Sequence, residues 1–532
     1  MFKPLRTAAV LGAGVMGTQI AAHLANAGMI VYLLDIPAKT GNKNDLVEAA
    51  FKKGLKQSPP IFFTEKTARR VILGNFDEDF DRLSQVDWII EAVIENLEVK
   101  QQLMQRLKGV ISGDAIVSTN TSGLPIHAIA QAQSESLRRR FLGTHFFNPP
   151  RYLKLLELIP TDDTDPAVVE RMRWFGESHL GKGVVIAKDT PNFIANRIGM
   201  YATMLGLKAW TEQGYTIEEI DRLTGTIMGR PKSATFRTAD LVGLDTLLYV
   251  TENLYPAIPE DESRDMFRVP EVLRQLVATG TLGAKSGQGF YKKQAGQILS
   301  LNRDTLTYEP AQPMNLGEIE TIEKLPLPER IRTLYEDTGR AGALFRPMML
   351  QILGYSARRI PEITDSPTEI DRAMRWGFGW EVAPFEIWQI LGKERVLADM
   401  QVAGIGVPDW VSHWIQDNQM QDNETQNSQE KTASLSLQAN SKSVIWQNSE
   451  AALLDMGDGV VQYEFRSKGN TLSSKVMAGF STVLDLLETE DFKGLVIGND
   501  SPHFSGGANL AEMAMMAQAG GVGVIKEVIE QF

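Results

Sequence analysis

Residues 7–35 read TAAVLGAGVMGTQIAAHLANAGMIVYLLD, and the fold turns on them. A short apolar run, Thr7 to Leu11, enters Gly12, Gly14 and Gly17; a helical pattern with small and apolar residues on one face follows, then a second apolar run ending at Asp35. In a strand, glycine turn, helix and strand of this kind the backbone does the chemistry. Gly12 permits the tight turn, Gly14 lets a pyrophosphate approach, Gly17 lets helix and strand pack closely, and the first helical amides carry a partial positive charge. A bare glycine pattern is weak, but here an acid ends the next strand, 18 residues after Gly17. A dinucleotide site is therefore expected over Gly12, Ala13, Gly14, Val15, Met16 and Gly17, with Asp35 on the ribose 2′-hydroxyl. A carboxylate there repels a 2′-phosphate, so NAD is expected rather than NADP.

Working outward, apolar strands are predicted at 86–93, 115–122 and 141–147, with a helix from Leu97 to Leu107 between the first two. Such alternation implies an α/β doubly wound parallel sheet of Rossmann type, whose ligand crevice lies beyond the carboxyl ends of the strands. Glu91, Glu95, Asn120, Ser122 and His145 fall near those ends. Each alone would serve as a cap or turn residue; together they mark one edge of the sheet.

The chain has 532 residues, 43% of them hydrophobic and 23% charged. Single cores rarely grow past about 250 residues, so three or four domains are expected. Cysteine is absent, which excludes disulfides, thiolate zinc sites and cysteine nucleophiles and fits a reducing compartment; the cytoplasm is expected, and no metal. A formal charge of −12 argues against a general nucleic-acid surface, so no nucleic-acid role is indicated. The N-terminus superficially resembles a signal peptide, but Gln19 and His23 interrupt its apolar run, and no membrane span is predicted.

Residues 144–160, THFFNPPRYLKLLELIP, place one His and one Glu in an apolar stretch. Asn148-Pro149-Pro150-Arg151 is a turn sequence, so the flanking runs can pair as antiparallel strands. In a register centred on Arg151, His145 stands opposite Glu157 on one face, where a carboxylate would fix the imidazole tautomer and stabilise its protonated form. That is what a general base requires. Read alone, the same pair is a buried histidine and a rim charge.

The segments LGAGVMG, EAVIENLEVK, STNTSGL, THFFNPPRYLKLLELI, KDTPNFIANR and AKSGQGFY, in this order over about the first 290 residues, resemble the 3-hydroxyacyl-CoA dehydrogenase family. The resemblance implies oxidation of a 3-hydroxyacyl-CoA to a 3-oxoacyl-CoA in fatty-acid β-oxidation. By it His145 is the catalytic base, Glu157 its partner, and Ser122 and Asn196 bind the substrate oxygen. It also maps NAD onto Gly12–Gly17, Asp35, Glu95, Lys100, Ser122, Asn148 and Lys285. Lys52, Lys53 and Lys56 lie where the family carries basic CoA contacts, without a clean match. Rival readings are a Rossmann dehydrogenase of a CoA-free 3-hydroxy acid and a non-catalytic NAD- or acyl-CoA-binding scaffold.

The organisation expected is an NAD-binding domain at 1–188, an all-α domain at 189–295 and a second helical repeat at 296–415. Glu219-Ile220-Asp221-Arg222 recurs at 369–372, and IMGRP is matched in phase by GFGWE. SATF near Ser233 departs from the family's Gly-Pro-Phe turn, which the second copy keeps as Ala383-Pro384-Phe385. The second copy lacks the Asn-Arg of the first, so packing is its expected role, and a homodimer through the helical domains is possible. A polar linker is expected at 416–443. Residues 444–532 resemble the start of a crotonase, or enoyl-CoA hydratase, domain. FSGGANL implies the Ala508 amide as one oxyanion donor, with Asn509 where the family has Asp and Glu512 on a helix surface. The chain stops before that family's second oxyanion glycine and its catalytic glutamates, so this domain is expected to be incomplete and without hydratase activity.

Overall fold

The apolar runs of the first 190 residues form one eight-stranded sheet. Its strands are β1 (Thr7–Leu11), β2 (Ile30–Asp35), β3 (Val71–Asn75), β4 (Trp88–Glu91), β5 (Ile116–Thr119), β6 (Phe141–Phe146), β7 (Leu155–Pro160) and β8 (Gly183–Ile186), in the order 3-2-1-4-5-6-7-8. This computed structural model describes residues 2–416, 443–457, 459–499, 501 and 503–518, in two compact units, Met1–Asp417 and Asn418–Phe532.

The strands fall where the apolar runs lie, but are shorter by one to three residues at their ends. Helix α1 (Val15–Asn26) is buried along most of its length against one face of the sheet, over Ala8, Val10, Val31, Leu33 and Ile90. Ala9, Leu11, Ile89 and Val117 face the other way and continue into the core of the helical region. Helix α2 (Leu97–Leu107) begins at Asn96, whose side chain accepts the Val99 amide.

The sheet is mixed, since β7 runs antiparallel to β6 as the turn at Asn148–Arg151 implied, and β3 and β8 extend it at its edges. The region after residue 189 corrects the expectation of purely helical domains. Tyr291–Gln294, Gln297–Leu301 and Tyr308–Pro310 (β9 to β11) form a small antiparallel sheet, because Ala295 and Gly296 both take positive φ and reverse the chain tightly.

The helices that matter below are α3 (Ala195–Glu212), α4 (Ile217–Thr224), α5 (Phe236–Val242), α6 (Leu244–Ala257), α7 (Arg340–Arg358), α8 (Pro367–Phe378) and α9 (Pro384–Leu391). Helix α8 docks on the sheet and on α3. A Cβ at Gly183 would meet the Trp376 ring at 2.3 Å, and one at Gly199 the Phe378 ring at 2.1 Å. Among the described residues no helix is long and apolar enough to cross a membrane.

The second unit holds a four-stranded sheet, β12 (Val444–Gln447), β13 (Ala451–Gly457), β14 (Val460–Phe465) and β15 (Gly494–Ile497), with helix α10 (Ser474–Thr489) packed on it. Most of the expected linker, residues 417–442, lies outside the described residues.

Candidate active site

At the carboxyl edge of β1 the glycines are forced by space. Gly12 has φ +105°, and a Cβ there would stand 2.6 Å from the Ala92 carbonyl oxygen; one on Gly17 would stand 1.8 Å from the Gly12 oxygen. Gly14 faces open space, with nothing within 4 Å of a built Cβ. It is also the N-cap of α1, without a side-chain cap, and Val15 beside it is exposed. The donor set and clearance therefore fit a pyrophosphate on the start of α1. Asp35 is half-buried at the end of β2. Its Oδ2 accepts the Ala13 amide at 2.8 Å and its Oδ1 the Ile36 amide at 2.7 Å, so it braces the glycine turn.

Under the next strand end lies a buried polar chain. Glu91 is fully enclosed, accepts from Thr119 Oγ1 at 2.6 Å, and pairs with Lys100 Nζ at 2.7 Å. Lys100 also reaches Glu95 Oε2 at 3.3 Å, and Glu95 Oε1 accepts the Ser122 amide at 2.9 Å. Lys100, only 1% exposed, thus orders Glu95, which in turn fixes the Ser122 turn. A buried ion pair of this kind survives only when its remaining donors and acceptors are met, as they are here.

Strands β6 and β7 pair with His145 opposite Glu157. His145 Nδ1 lies 2.6 Å from Glu157 Oε2, in a pair that is 5% and 0% exposed. Phe147 and Phe193 flank the imidazole, with ring centroids 4.6 and 5.5 Å away. The other carboxylate oxygen, Oε1, accepts the amides of Ile194 and Ala195 at 3.2 and 2.9 Å. One carboxylate therefore orients both the imidazole and the start of α3, which carries Asn196. Asn120 Oδ1 accepts the Phe146 amide at 2.9 Å and ties the end of β5 to the same strand.

Ser122 and Asn196 are half-buried on this edge, Ser122 lining a cleft of about 340 Å³ between the sheet and α6. Tyr249 of α6 closes one wall by donating to the Glu95 carbonyl at 3.0 Å. Asn148 is exposed beside a cis peptide to Pro149. Lys285 is exposed and held by Asp245 at 2.5 Å; no bond joins it to the glycine turn, Glu95 or Ser122. Lys52 pairs with Glu48 within its own helix.

Sequence reasoning missed the second pair of bonds to Glu157 and the bracing of Ala13 by Asp35, neither of which leaves a spacing signal. It also missed Asn192, which takes φ 62° and is 6% exposed at the cleft. In the second unit Ala508 bridges to Leu472 beside a pocket of about 440 Å³. Glu512 is not a plain surface residue there. It accepts the Ser474 amide at 2.8 Å and so caps α10.

Residues 7–190 match the family description "3-hydroxyacyl-CoA dehydrogenase, NAD binding domain", and residues 193–293 match "3-hydroxyacyl-CoA dehydrogenase, C-terminal domain". A protein of Bacillus subtilis named a probable 3-hydroxyacyl-CoA dehydrogenase is 41% identical over all of this chain and 71% of its own length. A Rickettsia felis protein provisionally named a fatty acid oxidation complex trifunctional enzyme is 29% identical over 96% of this chain and 69% of its own. The crystal structure of 3-hydroxybutyryl-CoA dehydrogenase from Escherichia coli superposes with a TM-score of 0.58 at 23% identity, covering 78% of this chain and 99% of that one, a likeness of fold.

Proposed function

The chain belongs to the 3-hydroxyacyl-CoA dehydrogenase family, an NAD-dependent group, and from that premise we propose that it oxidises a 3-hydroxyacyl-CoA to the 3-oxoacyl-CoA with His145 as general base. The observation that carries the reading is the buried His145–Glu157 pair at the crevice edge. With Glu157 on Nδ1, that nitrogen holds the proton and Nε2 keeps the lone pair. Nε2 takes the proton of the substrate's 3-hydroxyl, and Glu157 offsets the imidazolium charge that develops. Ser122 and Asn196 hold the oxygen as it becomes a carbonyl, and in reverse they stabilise the developing alkoxide. NAD, bound over Gly12–Gly17 with Asp35 at the ribose, supplies the hydride acceptor.

We propose that α7 to α9 are a second copy of the first helical stretch, with domain limits as expected from the sequence, and that the second unit is a crotonase-like fold in which the Ala508 amide lies at the pocket. Self-association through the helical region would use Leu241 and Val242, which are 65% and 55% exposed.

NADH-monitored oxidation of a chain-length series of 3-hydroxyacyl-CoA thioesters by the purified chain tests the main reading. Turnover of at least one thioester, and none of the matching free acids, is expected. Oxidation of the free acid alone would favour a CoA-free dehydrogenase, and NADH binding without turnover a scaffold.

A further inference from the structure

Asn192 sits at the cleft with no role in the chemistry described so far. It lies in the left-handed region at φ 62°, followed by Phe193 at φ 50°. For a bulky residue such as phenylalanine that conformation is costly, and it persists only where the surroundings enforce it. The two strained residues do different things. Phe193 is fully buried against the His145 ring. Asn192 turns toward the Ser122–Gly123 corner, where a Cβ built on Gly123 would stand 2.8 Å from its Oδ1. The carbonyl end of the amide is thus pressed on that corner, while its Nδ2 is buried and has no hydrogen-bond partner. A buried donor left unpaired carries its full desolvation penalty. Ser122, Gly123 and Asn192 all line the same cleft, with Asn253 and Leu254 of α6 opposite.

We propose that Asn192 is a substrate-positioning residue whose Nδ2 donates to the C1 thioester carbonyl oxygen of the 3-hydroxyacyl chain, an inference that rests on the dehydrogenase reading above. The C3 oxygen is already fully engaged there by His145, Ser122 and Asn196. The next acceptor along the acyl chain is the C1 oxygen, one methylene away, and Asn192 stands on the Ser122 corner that holds the C3 end. Holding both oxygens removes rotation about C2–C3 and fixes the direction in which the C3 hydrogen points. The bound carbonyl also satisfies the Asn192 Nδ2 donor, which has no partner among the described residues.

The test compares two substrates and two variants. One substrate is 3-hydroxybutyryl-CoA; the other is its thioether analogue S-(3-hydroxybutyl)-CoA, which keeps the secondary alcohol but has CH₂ in place of the C1 carbonyl. Asn192→Gly suits φ 62° and removes the amide; Asn192→Asp keeps the shape and replaces the donor with an acceptor. Wild type should prefer the thioester in kcat/KM. Asn192→Gly should lose about 10-fold on the thioester, the scale of one hydrogen bond, and less than about 2-fold on the thioether. Asn192→Asp should lose at least as much on the thioester. NADH affinity, read by fluorescence titration, should stay unchanged in both variants. Equal losses on the two substrates, a wild type that does not distinguish them, or a matching loss of NADH affinity would each overturn the proposal. A wild type that oxidises no thioester of the chain-length series fails the dehydrogenase reading itself, and the proposal with it; where only longer members turn over, the best of them and its thioether replace the C4 pair.

Discussion

Residues 217–242 and 367–392 can be laid over each other at a spacing of 150. Asp221 and Asp371 are both enclosed carboxylates that accept amides at the start of the following helical turn, from Thr235 and Phe236 in one case and Phe385 in the other. Gly229 and Gly379 both stand in the left-handed region, at φ 73° and 66°. The guanidinium of Arg230, next to the first glycine, lies 3.7 Å from the ring of Trp380, next to the second, so the stretches also touch where they correspond. Yet their neighbours differ. The helix before the first stretch, α3, has its first amides held by Glu157 and carries Asn196, whereas the second stretch presents Phe378 and Trp376 to α3 and the sheet. The same local plan thus adjoins the proposed catalytic pair in one place and packs on the sheet in the other.

If the second helical region is a support, breaking the tie between α7 and the first helical region should cost most. Asp261 accepts from Arg197 at 2.6 Å and Tyr355 at 2.8 Å and pairs with Arg359 at 2.9 Å, all buried. Half-buried Glu362 also pairs with Arg197 at 3.0 Å and Arg359 at 2.6 Å, so Asp261→Asn removes the buried one of the two carboxylates they share, and thermal unfolding should show about 3 kcal/mol lost, the low end for a broken buried pair. A change within about 0.5 kcal/mol would mean the two regions do not depend on each other. Gly199→Ala comes next. Its Cβ has no room beside Phe378, so overpacking should cost about 1–3 kcal/mol. Because Phe378 packs on Phe147, which packs on His145, turnover should fall as well. Unfolding and initial-rate measurements on one preparation check both.

A smaller effect sharpens the correspondence itself. Burial pushes Asp371 up to about 7 and Asp221 up to about 6, against the opposing pull of the amides they accept. A carboxyl whose folded value lies above its unfolded value holds its proton more tightly when folded. Its contribution is therefore fully present below about pH 4 and is lost as pH rises through the folded value. Stability should decline from about pH 4 toward pH 7, by at most about 1.4 kcal/mol per pH unit for each group. Asp371→Asn should remove one group's share of that decline across about pH 4–7, and Asp221→Asn one across about pH 4–6, leaving the slope above pH 6 to Asp371 alone. Urea titrations across this range would show it; an unchanged slope in both variants would argue against two equivalent buried acids.

The smallest expected effect lies at the cofactor turn. Asp35→Ser should weaken NAD by about 1 kcal/mol and narrow its advantage over NADP, because it removes both the ribose contact and the repulsion of a 2′-phosphate. The structure adds that it also frees the Ala13 amide, so some loss should appear for both dinucleotides. NADH and NADPH titrations separate the two contributions.

These sites differ in how plainly they could be read from the chain. The glycine turn, helix α2 and the register that sets His145 against Glu157 follow from local patterning, because period-two alternation and turn residues fix them within a few neighbours. The small sheet at 291–310 escaped because its strands are short and half exposed, and β3 because VILGN lies apart from the motifs. The double use of Glu157, the enclosure of Lys100 and the open amide of Asn192 depend on residues dozens of positions away, which no spacing announces.

The central claim is that His145 is the base. Single-turnover formation of NADH from a 3-hydroxyacyl-CoA by wild type and His145→Gln, with NADH affinity measured in parallel, tests it most directly. The account predicts a 10²- to 10⁴-fold slower chemical step at nearly unchanged NADH affinity. A variant that forms NADH within a few-fold of the wild-type rate would contradict it.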